Sequence, residues 1–397
     1  MSGMQEITLG KLVDVVVDNR GKTPPISEVG YELLEVNAIS QDRRTPDYSK
    51  VRKFVSEETY RNWFRKGHPQ PGDILVPTVG TIGNVALVQE PRGAIAQNLI
   101  ALRLKSGIDS RYVYYFLSSS LGKDLMLSLD IGGVQPSIKV PHLLDMAIPI
   151  ADYEEQKAIA AVLSSLDDKM DLLHRQNQTL EAMAETLFRQ WFVEEAQDGF
   201  EEIPMEQFFD FMEEPGIRNW QYTESGTPFI NIRLISDGDI DISKASFVSN
   251  EEANGKYSHF HLKEGDMIVS TSGTLGKNAI VRSYHLPLIL NTSVIRFRPR
   301  DGRSYSFIYQ YLNSRLFQEH LESAASGSVQ ANFGPTHLKQ MTLSKPPQDV
   351  LDKYLLQADP IYDKLRFNQA QIKTLEKLRD TLLPKLMNGE VQVALDG

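Results

Sequence analysis

The sequence repeats itself, and this repeat constrains the fold more than any other feature of the chain. Five short motifs occur twice, at a nearly constant offset of 193 to 195 positions. The pairs are GDILV at 72–76 with GDMIV at 265–269, GTIGN at 80–84 with GTLGK at 273–277, LRLK at 102–105 with IRFR at 295–298, Gln135 with Gln330, and TLE at 179–181 with TLE at 374–376. A period this long predicts two homologous halves, each the size of a domain, related by a pseudo-two-fold repeat.

Each half combines a β-like region with a helical one. Residues 1–150 and 199–345 contain short apolar runs separated by glycine and proline, which is typical of short strands and turns. Near the end of each region lies one clear helix candidate, at 111–121 and at 305–321. This mixture predicts the α+β class, with two similar mixed α/β domains. The predicted segments are a first domain at 1–150, a helical segment at 151–198, a second domain at 199–345 and a helical segment at 346–397.

The two helical segments carry apolar residues at heptad spacing, which predicts coiled-coil helices. The seam residues are Leu166, Leu173, Leu180 and Leu187 in the first segment and Leu365, Ile372, Leu375 and Leu382 in the second. Because the helix is duplicated, the two copies are expected to pair antiparallel and act as a spacer; packing of each helix on its own domain alone is the alternative. Asn177 and Asn368 are polar members of these seams and would fix the register.

Local signals predict the limits of these helices. Ser165 and Asp168 form a capping-box-like pair, and Asp359 precedes Pro360 as an N-cap precedes a first-turn proline. Pro384 is expected to kink or end the second helix, because proline lacks the N–H that a helix interior requires. We therefore expect helix starts near 165 and 360.

The formal net charge is −10, which argues against a protein that coats nucleic acid indiscriminately. Much of this acidity lies at 151–198, a segment that contains 11 acidic residues and only 4 basic ones. By contrast, eight lysines and arginines fall between 43 and 66, so a local basic face is compatible with the global sign; a solvated surface of mixed charge is the alternative. Without cysteine, a signal-like amino terminus or a long apolar run, the chain is expected to be cytoplasmic, with no membrane association.

Motifs for chemistry are missing from the sequence. The glycine-rich segment at 273–278 lacks the spacing of a phosphate-binding loop, and no motif for adenine methyl transfer or for nuclease activity is found. His259 and His261 alternate, as do Asp237, Asp239 and Asp241, but neither set has the spacing of a metal site. We predict no catalytic residue, no metal ligand and no cofactor on this chain.

Several segments resemble a known family. The run IPIADYEEQKAIAAVL at 148–163 resembles the central conserved region of type I restriction-modification specificity subunits. The runs LFRQWFV at 187–193 and LLPKLMNGEV at 382–391 resemble the ends of that family's two conserved helices, and the turns at 72–83 and 132–136 resemble its target recognition domains. The run KPPQDVL at 345–351 departs from the family pattern, which expects a Glu-Gln pair there, so the second domain boundary stays open.

The resemblance implies a specificity subunit with two target recognition domains, each reading one part of a split, asymmetric site on double-stranded DNA. It also implies that the paired helices set the distance between the parts. About 27 residues at 165–191 would rise roughly 40 Å, close to the 34–36 Å between successive major-groove faces on one side of DNA. Two modification subunits carrying S-adenosylmethionine and two restriction subunits using ATP and Mg²⁺ are the implied partners.

Residues for DNA contact are chosen among arginine, lysine, asparagine and glutamine, because their side chains match the donors and acceptors of base edges and the charge of phosphate. In the first domain the candidates are Arg20, Lys22, Arg43, Arg44, Asn84, Gln97, Arg103, Lys105 and Gln135. In the second domain they are Arg218, Arg233, Lys277, Asn291, Arg296, Arg298 and Gln330.

Two other classes of function compete with DNA recognition. The chain could be a non-enzymatic scaffold whose duplicated β-rich domains bind protein or carbohydrate, with helices that only dimerise. It could also be an enzyme with an unrecognised active site, a reading that the missing motifs disfavour. Salt-sensitive binding to a split DNA site distinguishes the reader from the scaffold.

Overall fold

The computed structural model describes residues 4–40, 43–133, 135–194, 199–213, 216–236, 238–271, 276–291, 293–325 and 335–394. Contacts divide the chain into two compact units. The first comprises residues 1–173 and 371–397, and the second comprises 174–370. Both long helices therefore contribute to each unit, and the four-segment division of the sequence remains a proposal.

The first unit is a mixed α/β domain completed by helix. Its elements are β1 (Gln5–Thr8), α1 (Leu9–Leu12), β2 (Val13–Val17), β3 (Tyr31–Leu34), β4 (Phe54–Val55), α2 (Glu57–Asn62), β5 (Ile74–Pro77), β6 (Ala86–Leu87), β7 (Ala94–Ile95), β8 (Leu99–Leu104), α3 (Ser110–Ser118), α4 (Ser120–Ser128), α5 (Val140–Asp145), β9 (Ala147–Ile150) and the first part of α6 (Tyr153–Arg189). Four antiparallel strands form the main sheet in the order β2-β8-β5-β6, and β4-β3-β7 form a smaller one.

The main sheet is buried on both faces. Ile74 and Val76 belong to a core shared with α3 and α6, whereas Leu75 between them belongs to a separate core with β2 and β3 residues. This follows from the alternation of side chains along a strand. Because its strands are antiparallel, the loops after β2, between β5 and β6, and before β8 all emerge at one edge of the sheet.

The second unit repeats this plan. Its elements are β10 (Glu201–Pro204), α7 (Met205–Phe208), β11 (Phe209–Met212), β12 (Thr227–Phe229), β13 (Ile235–Ser236), β14 (Asp239–Ile240), β15 (Ser246–Val248), α8 (Asn250–Asn254), β16 (Met267–Ser270), β17 (Asn278–Ile280), β18 (Val294–Pro299), α9 (Tyr305–Asn313), α10 (Arg315–Ala325), α11 (Pro335–Gln340), β19 (Thr342–Lys345) and the main part of α12 (Gln348–Met387). The sheet order β11-β18-β16-β17 matches that of the first unit, so the internal repeat and the α+β class are confirmed.

Strand pairing corrects one detail of the predicted repeat. Ile74 pairs with Leu102 in the first unit, and its counterpart Met267 pairs with Phe297 in the second. The offset is therefore 193 at β5 and β16 but 195 at β8 and β18. The run 102–105 matches 297–300, not 295–298, because the second unit has two more residues between these strands.

The long helices run antiparallel, as predicted. Within the second unit, Asn177 of α6 accepts a hydrogen bond from Asn368 Nδ2 of α12 at 2.9 Å, while Phe188 further along α6 packs against Tyr354, which lies earlier on α12. The seam residues Leu173, Leu365 and Ile372 are buried; Leu166, Leu180, Leu187, Leu375 and Leu382 are partly buried.

The predicted helix starts are wrong. Helix α6 begins at Tyr153, where Asp152 Oδ1 accepts the backbone N–H of Glu155 at 2.9 Å. Ser165 lies in its interior and donates to a backbone carbonyl one turn earlier. Helix α12 begins at Gln348, so Pro360 is interior as well. Proline has no N–H to donate to the carbonyl of Leu356, four residues earlier. Because Leu356 is exposed, water can donate to this carbonyl instead. Packing along the helices overrides these local start signals. At its other end α12 stops at Met387, shortly after Pro384.

Each shorter helix predicted near a domain's end is two helices. The breaks fall at Ser119 and Ser314, which are equivalent at an offset of 195 and have extended backbone. The Ser119 hydroxyl donates to the carbonyl of Phe116 at 2.6 Å and accepts the N–H of Gly122 at 3.1 Å. Each serine thus closes one helix and begins the next.

Candidate nucleic-acid interface

Loops at one edge of each main sheet hold much of the predicted interface. The first loop edge comprises the described residues at 18–24, 78–84, 97–98, 130–133 and 135–138. The last of these segments is tied to the others by two backbone hydrogen bonds, from Gly80 N–H to the carbonyl of Pro136 at 2.9 Å and from Ile138 N–H to that of Thr78 at 3.0 Å. The second loop edge comprises the described residues at 216–223, 276–278, 291 and 293.

Arg20 is oriented within the first loop edge by Asp18. Arg20 Nε and Nη2 donate to the Asp18 carboxylate at 2.8 and 2.7 Å, and Nη1 donates to Thr78 Oγ1 at 3.2 Å. The hydrogen bond from Arg20 holds the pKa of Asp18 below its ordinary value. Arg20 stays partly exposed, so its guanidinium is held in one orientation at the surface.

Three other predicted residues share this edge and are exposed: Lys22, Gln97 and Gln135. Gln97 has a left-handed backbone, with φ of 58°, and its Nε2 donates to Thr23 Oγ1 at 2.5 Å. This bond connects the segment before β8 to the loop after β2. The structure therefore brings together residues that lie more than a hundred positions apart in the sequence.

The region at 43–66 is less basic than its sequence suggests. Arg43 is half-exposed and contacts Asp47 at 3.3 Å, Lys53 pairs with Glu35 at 2.6 Å, and Arg61 pairs with Glu57 at 2.5 Å. Asn84 Nδ2 donates to the carbonyl of Ile39 at 3.3 Å. These carboxylates offset much of the predicted positive face, although Arg43 remains accessible.

The second loop edge presents Arg218 and Lys277, both exposed. Asn291 is buried there, and its Oδ1 accepts the backbone N–H of Ile217 at 3.0 Å, so it supports the loop and is not available to DNA. Arg233 is exposed on a short turn capped by Asn231. Gln330 and the second glycine-rich turn at 273–275 lie outside the described residues.

Arg103 and Arg298, predicted as DNA contacts, are each held by a buried aspartate. Arg103 Nε and Nη2 donate to the two oxygens of the buried Asp73 carboxylate at 2.9 and 2.8 Å. Arg298 binds the buried Asp266 in the same way, at 2.6 and 2.7 Å. Bidentate pairs of this kind fix a guanidinium in place, and these hydrogen bonds raise the pKa of both arginines.

Arg44 and Arg296, also predicted as DNA contacts, are likewise held by carboxylates. Arg44 is 9 % exposed and pairs with Asp168 and Asp171 of α6, at 2.5 and 3.3 Å. Arg296 is buried beside Asp210, with which it forms an ion pair. An arginine that is already paired and desolvated has little left to offer a base or a phosphate. Lys105 stays exposed, with its Nζ directed to the carbonyl of Lys11 at 2.8 Å.

The loop after β2 has a close counterpart after β11. Ser27 forms a bridge with Phe54, as Thr223 does with Phe247, and each hydroxyl donates to the carbonyl two residues later. Ser27 and Thr223 are therefore equivalent, at an offset of 196 positions. Lys22 and Arg218 therefore lie on equivalent loops of the two units, each after the edge strand of its main sheet.

The match to a protein-family model identifies the family. The family described as type I restriction modification DNA specificity domain matches residues 1–182 and 199–377, one match on each half of the repeat. The chain belongs to this family. Its members of known structure share the fold: the crystal structure of a type I restriction-modification S subunit from M. genitalium aligns with a TM-score of 0.59 at 18 % identity, over 97 % of this chain and 96 % of that one.

Curated relatives of this specificity family extend along most of the chain. The type I restriction enzyme MjaIX specificity subunit of Methanocaldococcus jannaschii is 28 % identical over 371 residues, which are 87 % of this chain and 83 % of the relative. The HindI specificity subunit of Haemophilus influenzae is 24 % identical, over 67 % of this chain and 73 % of its own length.

Searches of the described residues found neither a cluster of three or more potential metal ligands nor a helix that could span a membrane. Asp237, which alternates with Asp239 and Asp241 in the sequence, lies outside the described residues. The residues that sequence reasoning missed are the partners Asp18, Asp73 and Asp266. For the last two a signal existed, since both aspartates and both of their arginine partners recur in the two halves.

Proposed function

We propose that this specificity-family chain reads DNA sequence for a type I restriction-modification complex and performs no chemistry itself. The first unit reads one part of a bipartite site and the second unit reads the other. Family membership supports the role, and the duplicated loop edges support the division of labour. Direct contacts are assigned to residues of these edges and of the surface beside them: Arg20, Lys22, Arg43, Asn84, Gln97, Gln135, Arg218, Arg233 and Lys277.

One observation carries the proposal furthest: each unit presents an exposed cation on the equivalent loop. Lys22 and Arg218 are both exposed, and both follow the strand at the margin of the main sheet. Cations at equivalent places in duplicated domains suit a ligand that offers the same charged group twice, as the phosphates of one duplex do.

The site should be asymmetric. Residues next to these cations differ between the units, with Thr23 and Pro24 in the first where the second has Asn219 and Trp220. Base recognition depends on the hydrogen-bond pattern and shape of the contacting groups. Equivalent loops with different side chains are therefore expected to read different bases.

We assign the spacing of the two half-sites to the helices. Helix α6 has 37 residues and α12 has 40, and every residue adds about 1.5 Å. A continuous helix resists changes in length, so its residue count can set a distance. The buried Asn177–Asn368 pair would hold the two helices in one register.

For partners, the proposal includes two modification subunits that carry S-adenosylmethionine and two restriction subunits that use ATP and Mg²⁺, assembled in the cytoplasm. This chain would contribute recognition and hold none of these cofactors. The exposed faces of α6 and α12 offer surface for such assembly, because one side of each helix faces the other and the opposite side is exposed.

Genome-wide sequencing of methylated adenine tests the proposal. A host that carries the intact system should show one bipartite, asymmetric motif with methylation on both strands, and deletion of this gene alone should abolish it. Reintroduction of the chain should restore the same motif. A motif that persists without the gene would contradict the proposal.

A further inference from the structure

The loop that carries Arg218 also carries the most exposed large apolar side chain among the described residues. Trp220 is 80 % exposed, and Tyr222, two residues later, is 42 % exposed. Tryptophan rarely stays in water without a partner, because its burial contributes more than that of almost any other side chain. The exposure therefore needs an explanation.

Trp220 is held on a turn that is fixed to the core. It lies in the short helical turn Asn219–Gln221, and the buried Gln221 Nε2 donates to Glu252 Oε1 at 2.8 Å and to the hydroxyl of Tyr257 at 2.9 Å. The Tyr222 ring packs on the buried ring of Phe229 with centroids 5.0 Å apart. A side chain presented from so well-anchored a turn loses little further backbone entropy on binding.

The equivalent loop of the first unit has the same character. At the offset of 196, Ile26 corresponds to Tyr222, and Lys22 lies on the same loop as Ile26; Ile26 is 54 % exposed, and Val29 nearby is 79 % exposed. Each unit thus pairs one exposed cation with exposed apolar side chains on a single loop. The apolar residues differ, whereas the cation is retained.

This combination fits DNA better than a protein partner. A cation contacts phosphate, while an adjacent flat or branched apolar group stacks on a base or enters between base steps. A protein-docking patch would not require a cation on the equivalent loop of both units. Charge and apolar surface occur together at the edge where the predicted base-reading residues already lie.

We infer that Trp220 is a DNA-contacting residue of the second unit, inserted against the bases of its half-site while Arg218 binds the neighbouring phosphate. This deepens the proposed function and rests on it. The corresponding role in the first unit falls to Ile26 and Val29, beside Lys22. Because an apolar contact depends on base stacking and groove shape, Trp220 contributes to sequence preference as well as to affinity.

The test measures binding of the complex between this chain and its methyltransferase to a duplex bearing its own methylated motif, over a range of salt concentrations. Trp220→Ala should weaken binding about 10- to 100-fold, as loss of one stacking contact does. The slope of log K against log salt should stay unchanged, because indole releases no counterion. Arg218→Ala should instead lower that slope by about 1.

Matched variants keep the result interpretable. Trp220→Phe should recover binding to within about threefold, since a flat ring remains. Val15→Ala removes an exposed apolar side chain from the middle of β2, away from both the loop edge and the long helices, and should leave affinity unchanged. The methylome of Trp220→Ala should become degenerate only in the half of the motif read by the second unit.

Two outcomes would overturn the inference: full affinity in Trp220→Ala, or loss of the co-purifying methyltransferase in that variant, which would assign Trp220 to a protein interface. Failure of the proposed function looks different. In that case the wild-type complex itself would bind the motif duplex no better than a scrambled one.

Discussion

Replacing Asp167 by asparagine should destabilise the first unit, because this carboxylate connects the domain to both long helices. Asp167 of α6 is only 6 % exposed; its Oδ2 accepts the hydroxyl of Tyr115 at 2.6 Å and its Oδ1 accepts Arg379 Nη1 of α12 at 3.1 Å. Burial lowers the pKa of Arg379, but the carboxylates of Asp167 and Asp380 together raise it above its ordinary value. Burial and the Asp167 charge also raise the pKa of Tyr115.

The magnitude follows from what the substitution leaves behind. Removing one partner of a buried ion pair costs about 3–5 kcal/mol. Arg379 is a quarter exposed, so water recovers part of its solvation and we expect about 2–3 kcal/mol for Asp167→Asn. For a unit of this size that corresponds to a fall in Tm of roughly 5–10 °C.

The control is built into the structure. Arg379 also contacts Asp380, which is 63 % exposed, at 2.9 Å. Exposed pairs contribute about 0–1 kcal/mol, so Asp380→Asn should change Tm by no more than about 2 °C. Thermal unfolding followed by circular dichroism compares the two variants. Equal shifts for both would refute the idea that burial makes the Asp167 contacts important.

Two further predictions concern the helices. Replacing both Asn177 and Asn368 by leucine should raise the free energy of unfolding by about 1–4 kcal/mol, which denaturant titration measures. The methylated motif should then acquire more than one gap length, because the helices lose the pair that fixes their register. A single unchanged gap would show that the pair does not fix the register. Inserting four residues after Gln178 should lengthen the gap between the two parts of the methylated motif, since it adds about 6 Å of helix. Inserting one residue rotates the helix by about 100° and should abolish methylation, because Leu173 and Leu180 leave the seam. An active four-residue variant with an unchanged gap would locate the spacing elsewhere.

Periodicity in the sequence was enough to predict the architecture. Two halves, the α+β class and paired antiparallel helices all follow from patterns that extend over many residues. Single-residue signals were less informative. Asp359-Pro360 resembles a helix start, yet it lies inside α12, because the packing of a long buried seam outweighs the loss of one backbone hydrogen bond.

The candidate site could be predicted only in outline. Lys22 and Arg218 were chosen separately, and the equivalence of the loops that carry them emerged from backbone bridges that no fixed sequence offset reveals. Arg44 belongs to a basic run, but only the fold brings Asp168, 124 positions later, within 2.5 Å of it. Whether an arginine faces solvent or an aspartate depends on such long-range contacts, which composition and spacing do not contain.

The central claim is that each half of this chain reads one half of the DNA site, and a domain exchange tests it most directly. Residues 1–150 are replaced by the corresponding domain of another family member with a known motif, and the methylome of a host carrying the hybrid complex is sequenced. We predict that one half of the motif changes to that of the donor while the other half and the gap stay as they were. A change in both halves, in a complex that still assembles and methylates DNA, would contradict the claim.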